Sequence, residues 1–199
     1  MDRHWYLDIN RLARQTVWAH GVARAYAVWA GIAVLGLLLL AGVWASRRDL
    51  RALAAALWAG LGTLVAVGLN QPLIHLAARQ RPYATIPNVE VLIARGHDFT
   101  FPSDHATAAG AVICGLVLAG QRRLGLAALV AGVLLAFDRV YVGAHYPGDV
   151  VAGLVFGAVV VAVLSPLARI LLVPVVGLLE AHLPWGAGRT GTRVEVHEP

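Results

Sequence analysis

Uncharged apolar runs of membrane length alternate with short polar segments along this chain. The first run, Ala25 to Ala45, carries Tyr26, Trp29 and Trp44 near its ends, where aromatic rings settle at a membrane interface. That pattern predicts a transmembrane helix. A second run, from about Leu53 to Leu76, places Asn70, Gln71 and His75 in its last turns. Such groups are costly against lipid, so this end is expected to line a cavity. A third run begins near His105 and stops at Gln121 to Arg123, a fourth covers Leu124 to about Phe137, and a fifth covers Val150 to Leu164, ahead of Ser165 and Pro166. These three are shorter than the roughly 20 residues a helix needs to cross a bilayer, so each is expected to start inside the polar motif beside it.

The ends are less regular. Trp5 to His20 mixes apolar and charged residues at roughly helical spacing, the mark of an amphipathic helix lying at the interface rather than spanning it. Leu167 to Leu183 is apolar but interrupted by Arg169 and Pro174, which leaves two readings open: a kinked last span or a surface helix. From Gly186 onward Gly, Thr and charged residues predict a disordered tail. The expected fold is therefore all-α, a polytopic membrane helical bundle of five to six transmembrane or membrane-associated helices. It forms one domain over residues 1–185, with residues 186–199 as the tail.

Composition agrees with a membrane protein, since 59% of the 199 residues are hydrophobic and 14% charged, too few to coat a water-soluble domain. A net charge of +5 would fit nucleic acid, but the Arg residues sit in short clusters between apolar runs, as membrane topology demands, so no nucleic-acid partner is expected. Arg47, Arg48 and Arg51 form one cluster and Arg122 with Arg123 another. The positive-inside rule puts both in the cytoplasm, so the segments 77–104 and 138–149 emerge together on the outer face. The single cysteine, Cys114, lies in an apolar run and reads as a packing residue, with no disulfide framework. The first fifteen residues carry acids and bases ahead of any apolar segment, unlike a secretory signal peptide.

Three outer-face stretches hold the unusual residues: ARQRPYA with Arg79 and Arg81, FPSDHA with Ser103, Asp104 and His105, and DRVYVGAHYPGD with Asp138, Arg139, His145 and Asp149. Singly, each has a plain structural use: a snorkelling Arg81, a helix N-cap at Ser103 or Asp104, an interfacial His145. Three Arg, two His and an acid converging on one side of a small membrane protein point instead to a phosphate pocket. Guanidinium forks match phosphate oxygens, and a Ser hydroxyl with the N–H groups at a helix start adds donors. One neutral imidazole can attack phosphorus while another, protonated, donates to the leaving oxygen. Asp149 follows His145 by four residues, a spacing that reaches the ring N–H within one helical turn and fixes its tautomer. The donors include no cluster of acids suited to a divalent ion, so neither metal nor cofactor is expected.

Arg81-Pro82, Pro102-Ser103, His105, Arg139, His145 and Asp149 stand in the order and spacing of a known pattern: Lys, six residues, Arg-Pro; then Pro-Ser-Gly-His; then Ser-Arg, five residues, His, three residues, Asp. The chain thus resembles the type 2 phosphatidic acid phosphatase superfamily, over about residues 74–149. It departs at Ile74, Asp104 and Asp138, which replace the pattern's Lys, Gly and Ser. The run Phe-Pro-Ser-Asp-His, the missing Lys and the opening INRLARQTVWAH are similar to the bacitracin-resistance type of undecaprenyl diphosphate phosphatase.

The resemblance implies a six-helix membrane core and a covalent phosphohistidine mechanism. His145 would be the nucleophile, Asp149 its orienter and His105 the general acid, with Arg81, Arg139 and Ser103 holding the phosphoryl group. Arg79 is expected to supply the charge that Ile74 lacks, with His75 a weaker substitute. Asp104 either caps or pairs with the Arg cluster or tunes His105, Asp138 pairs with Arg139 or Arg79, and Gly143 and Gly148 serve turns and close packing. His97 and Asp98 are expected to face solvent, with a role at the distal end of a diphosphate as the alternative. The implied function is a multi-pass bacterial membrane phosphatase acting on a polyprenyl diphosphate at the periplasmic or outer face, with the lipid and the bilayer as partners. The alternatives are a phosphatase for another lipid phosphate and a binding protein without turnover.

Overall fold

The structure, a computed structural model, describes residues 1–182, with side chains described to residue 179. The expected tail, residues 186–199, lies outside the described residues. Helix α1 spans Asp2–Gln15, and α2 runs over Val17–Ser46, opening with a 3-10 turn and widening into a π turn at Tyr26–Ala30. Helix α3 is Leu50–Ala77, α4 the single turn Pro82–Thr85, α5 Asp104–Leu118, α6 Arg122–Tyr141 and α7 Pro147–His182. No strand occurs among the described residues. The bundle is all-α, and α2, α3, α6 and α7 are long and apolar enough to cross a bilayer. Leu37, Leu40, Leu64, Val155, Val163 and Leu171 point outward from these helices. A protein with such a surface is a membrane protein.

Local chemistry sets the boundaries. Asp49 caps α3 by accepting the Ala52 N–H at 2.8 Å, and α3 ends at Ala78 in the left-handed region, φ 45°. Gly120, at φ 77°, closes the turn between α5 and α6, a conformation that costs glycine nothing. Helix α7 differs from expectation: it runs through both Pro166 and Pro174 as one helix, so the fifth run and the apolar segment after it are a single element. Proline inside a membrane helix is tolerated where local adjustments re-satisfy the freed carbonyls.

The short helix α5 is the centre of the bundle, buried on nearly every side against α3, α6 and α7. Its contact with α7 is made by glycines. A Cβ on Gly110 would strike the Leu154 carbonyl, and one on Gly157 would strike the Thr107 carbonyl, backbone atoms that cannot move aside cheaply. Gly157→Ala is expected to destabilise the protein by about 1–3 kcal/mol through overpacking, whereas Gly60→Ala, with open space around the new methyl, should not. Thermal unfolding in detergent measures both; equal melting of Gly157→Ala and wild type would mean that the helices do not touch there.

The loops 47–49 and 119–121 meet at one end, where Gln121 Nε2 donates to Ser46 Oγ at 2.9 Å. The other end gathers the C-termini of α3 and α6, the N-termini of α5 and α7, the loop 86–103, and α1. Helix α1 is amphipathic and does not span, but its inner stripe of Tyr6, Asn10 and Ala13 is buried against protein rather than lipid. Asn10 clamps the loop through both amide atoms, Nδ2 to the Glu90 carbonyl at 2.8 Å and Oδ1 from the Glu90 N–H at 3.0 Å.

Candidate active site

At this end a cavity of about 360 Å³ opens, lined by Arg81, Asp104, His105, Arg139 and His145, with Gln71, His75 and His97 at its wall. His145 sits in the turn between α6 and α7. Gly143 makes that turn at φ 84°, packed so closely on the Glu90 carbonyl that a side chain would not fit. The ring is 3% exposed. Its Nδ1 lies 2.9 Å from the Thr100 carbonyl oxygen and 3.0 Å from Thr100 Oγ1. The Thr100 hydroxyl donates to Asp149 Oδ2 at 2.7 Å, so its proton is committed and its lone pairs face Nδ1. Two acceptors at Nδ1 place the ring proton there, leaving the Nε2 lone pair on the side of Ser103 Oγ, 3.4 Å away. Burial pushes the His145 pKa below its ordinary value and the nearby Arg139 and Arg81 act in the same direction, against the opposing effect of Asp149. The imidazole is therefore neutral at pH 7.

Asp149 was expected to reach His145 directly. It lies 3.8 Å from Nδ1, beyond hydrogen-bond length, and acts through Thr100. Asp149 is itself fully buried, accepting from the Tyr146 N–H at 2.8 Å and from Arg79 Nη1 at 2.6 Å. Ser103 occupies the N-cap position of α5 but makes no side-chain cap bond, which leaves its hydroxyl to His145.

The two cavity guanidiniums differ. Arg139, 6% exposed, donates Nη1 to the Ala27 carbonyl in the π turn of α2 at 3.0 Å, and its buried Nε has no partner. A buried cation with a spare donor is suited to an anion. Arg81 is held by the Ala144 carbonyl at 3.0 Å and by Asp98, which takes Nε at 3.1 Å and Nη2 at 2.5 Å. Partial burial would raise the Asp98 carboxyl, but the Arg81 hydrogen bonds and charge outweigh it and hold it below the usual carboxylate range. His105 is half-buried in the first turn of α5 and lines the same cavity as His145.

Several expectations change here. Asp104 meets no arginine: its Oδ1 accepts from Asn70 Nδ2 at 2.8 Å and Gln71 Nε2 at 2.9 Å, which ties α5 to the polar end of α3 and explains why those polar groups are there. Arg79 does not line the cavity and so does not replace the charge missing at Ile74; it stands behind Asp149, between that carboxylate and Asp2. Asp138 pairs with neither Arg139 nor Arg79 but lines a separate apolar groove of about 470 Å³ between α1, α2 and α6. Asp98 and His97 are exposed yet belong to the cavity wall. Thr100 and Asp2 were not legible as site residues, because neither stands at a telling interval from the motif residues and each acts across a long stretch of chain.

The family model of the PAP2 superfamily matches residues 55–170, more than half of the chain and every cavity-lining residue. The chain belongs to the PAP2 superfamily. Among PAP2 relatives, it is 31% identical over 135 residues to the undecaprenyl-diphosphatase BcrC of Bacillus subtilis, covering 68% of this chain and 66% of that protein. It is 36% identical over 110 residues to the decaprenylphosphoryl-5-phosphoribose phosphatase of Mycobacterium tuberculosis, covering 54% and 58%. The chain thus spans less than two-thirds of either relative's length. Its fold is similar to the crystal structure of Aquifex aeolicus LpxE, with a TM-score of 0.57 at 21% identity over 79% of this chain and 92% of that one.

Proposed function

We propose that this PAP2 protein is a membrane lipid phosphatase that hydrolyses a polyprenyl diphosphate to the monophosphate and inorganic phosphate through a phosphohistidine intermediate. The observation that carries the reading is a buried, neutral His145 whose Nε2 lone pair faces Ser103 Oγ beside a cavity holding two arginines and a second histidine. Nε2 attacks the terminal phosphorus, and the bond from phosphorus to the bridging oxygen breaks. His105 gives that oxygen its proton, so the lipid monophosphate departs. Water then attacks the phosphohistidine with His105 accepting its proton, which releases inorganic phosphate and restores both rings. Arg139 Nε and the Arg81 fork stabilise the equatorial oxygens as charge gathers on them. For Arg81 this requires an exchange of partners, phosphate oxygens for Asp98. A non-catalytic phosphate binder would need the cations but has no use for the Asp149–Thr100–His145 chain.

The name of the Bacillus subtilis relative supports the diphosphate, and that of the mycobacterial relative supports a second reading, a prenyl-linked sugar phosphate. Phosphate release from a panel of prenyl diphosphates, prenyl-linked sugar phosphates and glycerolipid phosphates, in detergent with excess chelator, separates them. The expected result is turnover that favours the prenyl diphosphate and persists in chelator, since the cavity's phosphate ligands are Arg, Ser and His. Preference for the sugar phosphate would replace the substrate, and activity that vanishes with chelator and returns with one divalent ion would overturn the mechanism.

The cavity is proposed to open to the periplasm or cell exterior, because Arg47, Arg48, Arg51, Arg122 and Arg123 lie at the opposite end. Ala94, exposed in the outer loop, offers a probe: Ala94→Cys in a Cys114→Ala background should react with an impermeant thiol reagent in intact cells. Reaction only after the membrane is opened would invert the orientation.

A further inference from the structure

We infer that Asp2, on the N-terminal helix, is a positioning residue for phosphoryl transfer, acting through Arg79 on Asp149. The inference rests on the mechanism proposed above but adds an element the family match does not include, since residues 55–170 begin well after α1. Its basis is a chain of charged contacts that leads into His145 from the side away from the cavity. Asp2 Oδ2 accepts from Arg79 Nη2 at 2.6 Å, Arg79 Nη1 donates to Asp149 Oδ1 at 2.6 Å, and Asp149 Oδ2 accepts from Thr100, whose hydroxyl meets Nδ1 of His145.

Each link is held sideways as well as end to end. The other oxygen of Asp2 accepts the Gly148 N–H at 2.8 Å, so one carboxylate grips both Arg79 and the first turn of α7, where its negative charge also suits the helix start. The Arg79 guanidinium lies over the Tyr146 ring at 4.1 Å. Tyr146 in turn packs against Tyr6 of α1, with ring centroids 5.4 Å apart, and shares a hydrogen bond with Thr85 Oγ1 at 2.8 Å. Helix α1 is thus fastened to the site twice, by Asp2 and by Tyr6.

Charge explains why the chain needs its outer member. Asp149 is fully buried, and an ionised carboxylate there requires a cation. Arg79 supplies it, and with both Asp149 oxygens engaged the carboxylate cannot turn without releasing Thr100. Arg79 is 34% exposed, so its fork is not enclosed on every side. Asp2 keeps the fork in place and offsets its charge.

The test uses the full chain in detergent with Asp2→Asn, Asp2→Glu, Arg79→Gln and the Asp2→Asn/Arg79→Gln double variant. Asp8→Asn serves as control on the same helix, since among the described residues Asp8 pairs with His4 and Arg11 on the exposed face. Asp2→Asn is expected to lower kcat about tenfold with KM changed less than about twofold, Asp2→Glu to recover part of it, and the double variant to be no slower than Arg79→Gln, because residues of one network do not add. A second readout does not depend on turnover: the titration of the His145 ring, followed by nitrogen NMR. The charged and titratable groups around that ring are Asp149 on α7, Arg139 on α6, His105 on α5, and Arg81 and Asp98 from the loops, with Arg79 behind Asp149. Arg79→Gln leaves the Asp149 charge less offset, so His145 titrates at higher pH; Asp2→Asn leaves the Arg79 charge less offset, so it titrates lower. A fold-only role would not give opposite signs. Wild-type kcat and titration in Asp2→Asn, or a loss matched by Asp8→Asn, would overturn the inference. If the wild type releases no phosphate from any lipid while the two titrations still move oppositely, the proposed function fails and the positioning chain stands.

Discussion

His145→Asn is expected to abolish turnover, by about 10⁴-fold or more, together with any covalent phosphoenzyme. The expectation follows from the ring's position: Nε2 is its only nitrogen not engaged by Thr100, so it is the ring atom placed to attack. Binding should survive, because Arg81 and Arg139 keep their own partners, the Ala144 and Ala27 carbonyls, which do not depend on the imidazole. Vanadate, which takes up the geometry of a transferring phosphoryl group, should therefore still be retained by His145→Asn. The wild type carries a related pH signature. Burial and the two arginines hold His145 below the ordinary histidine pKa of about 6.5. As the proposed nucleophile, His145 should then stay neutral and competent as pH falls through the range where an exposed histidine gains its proton, and the acid limb of kcat/KM should lie below about 6.5. Loss of vanadate binding in His145→Asn, measured by competition with substrate or by calorimetry, would mean that the ring holds the phosphoryl group rather than attacking it.

His105→Asn is expected to cost roughly 10² to 10⁴ in kcat, the usual range for a general acid. His105 lines the same cavity as His145 but from the start of α5, a separate element from the turn that carries His145. A leaving group that departs without a proton should lose much less: with an aryl phosphate in place of the lipid diphosphate, the deficit of His105→Asn should shrink by an order of magnitude or more. The same substrate should not rescue His145→Asn, whose defect is in bond formation. An equal deficit for both leaving groups would remove His105 from the role of acid and leave it a binding residue.

Much of this was legible in the sequence, for physical reasons that can be named. Helices α2 and α3 declare themselves by apolar runs of membrane length, and α6 by a shorter run that begins and ends in charged residues. Ser103 with His105 and His145 with Asp149 stand out by local spacing, because each pair is set at one helix start, while Arg81 and Arg139 stand out as charges beside apolar runs. Local rules misjudged α7, where Pro166 and Pro174 signalled interruptions that the membrane helix absorbs. They were silent about contacts that only the fold creates. Thr100 meets His145 from a loop that has no periodicity, and Asp2 meets Arg79 across 77 residues. Arg79 was recognised as a site residue, yet the guanidinium turns toward Asp149 and Asp2 instead of the cavity, a direction that its place near Arg81 does not reveal.

In the proposed reaction the phosphoryl group is transferred to His145. Enzyme mixed with lipid diphosphate labelled in the terminal phosphate, quenched in base within milliseconds and digested, should yield one labelled peptide, carrying His145, with the base stability and acid lability of a phosphohistidine. The label should be absent from His145→Asn and, with slowed formation, still on His145 in His105→Asn. Label on His105, or undiminished label in His145→Asn, would contradict the mechanism.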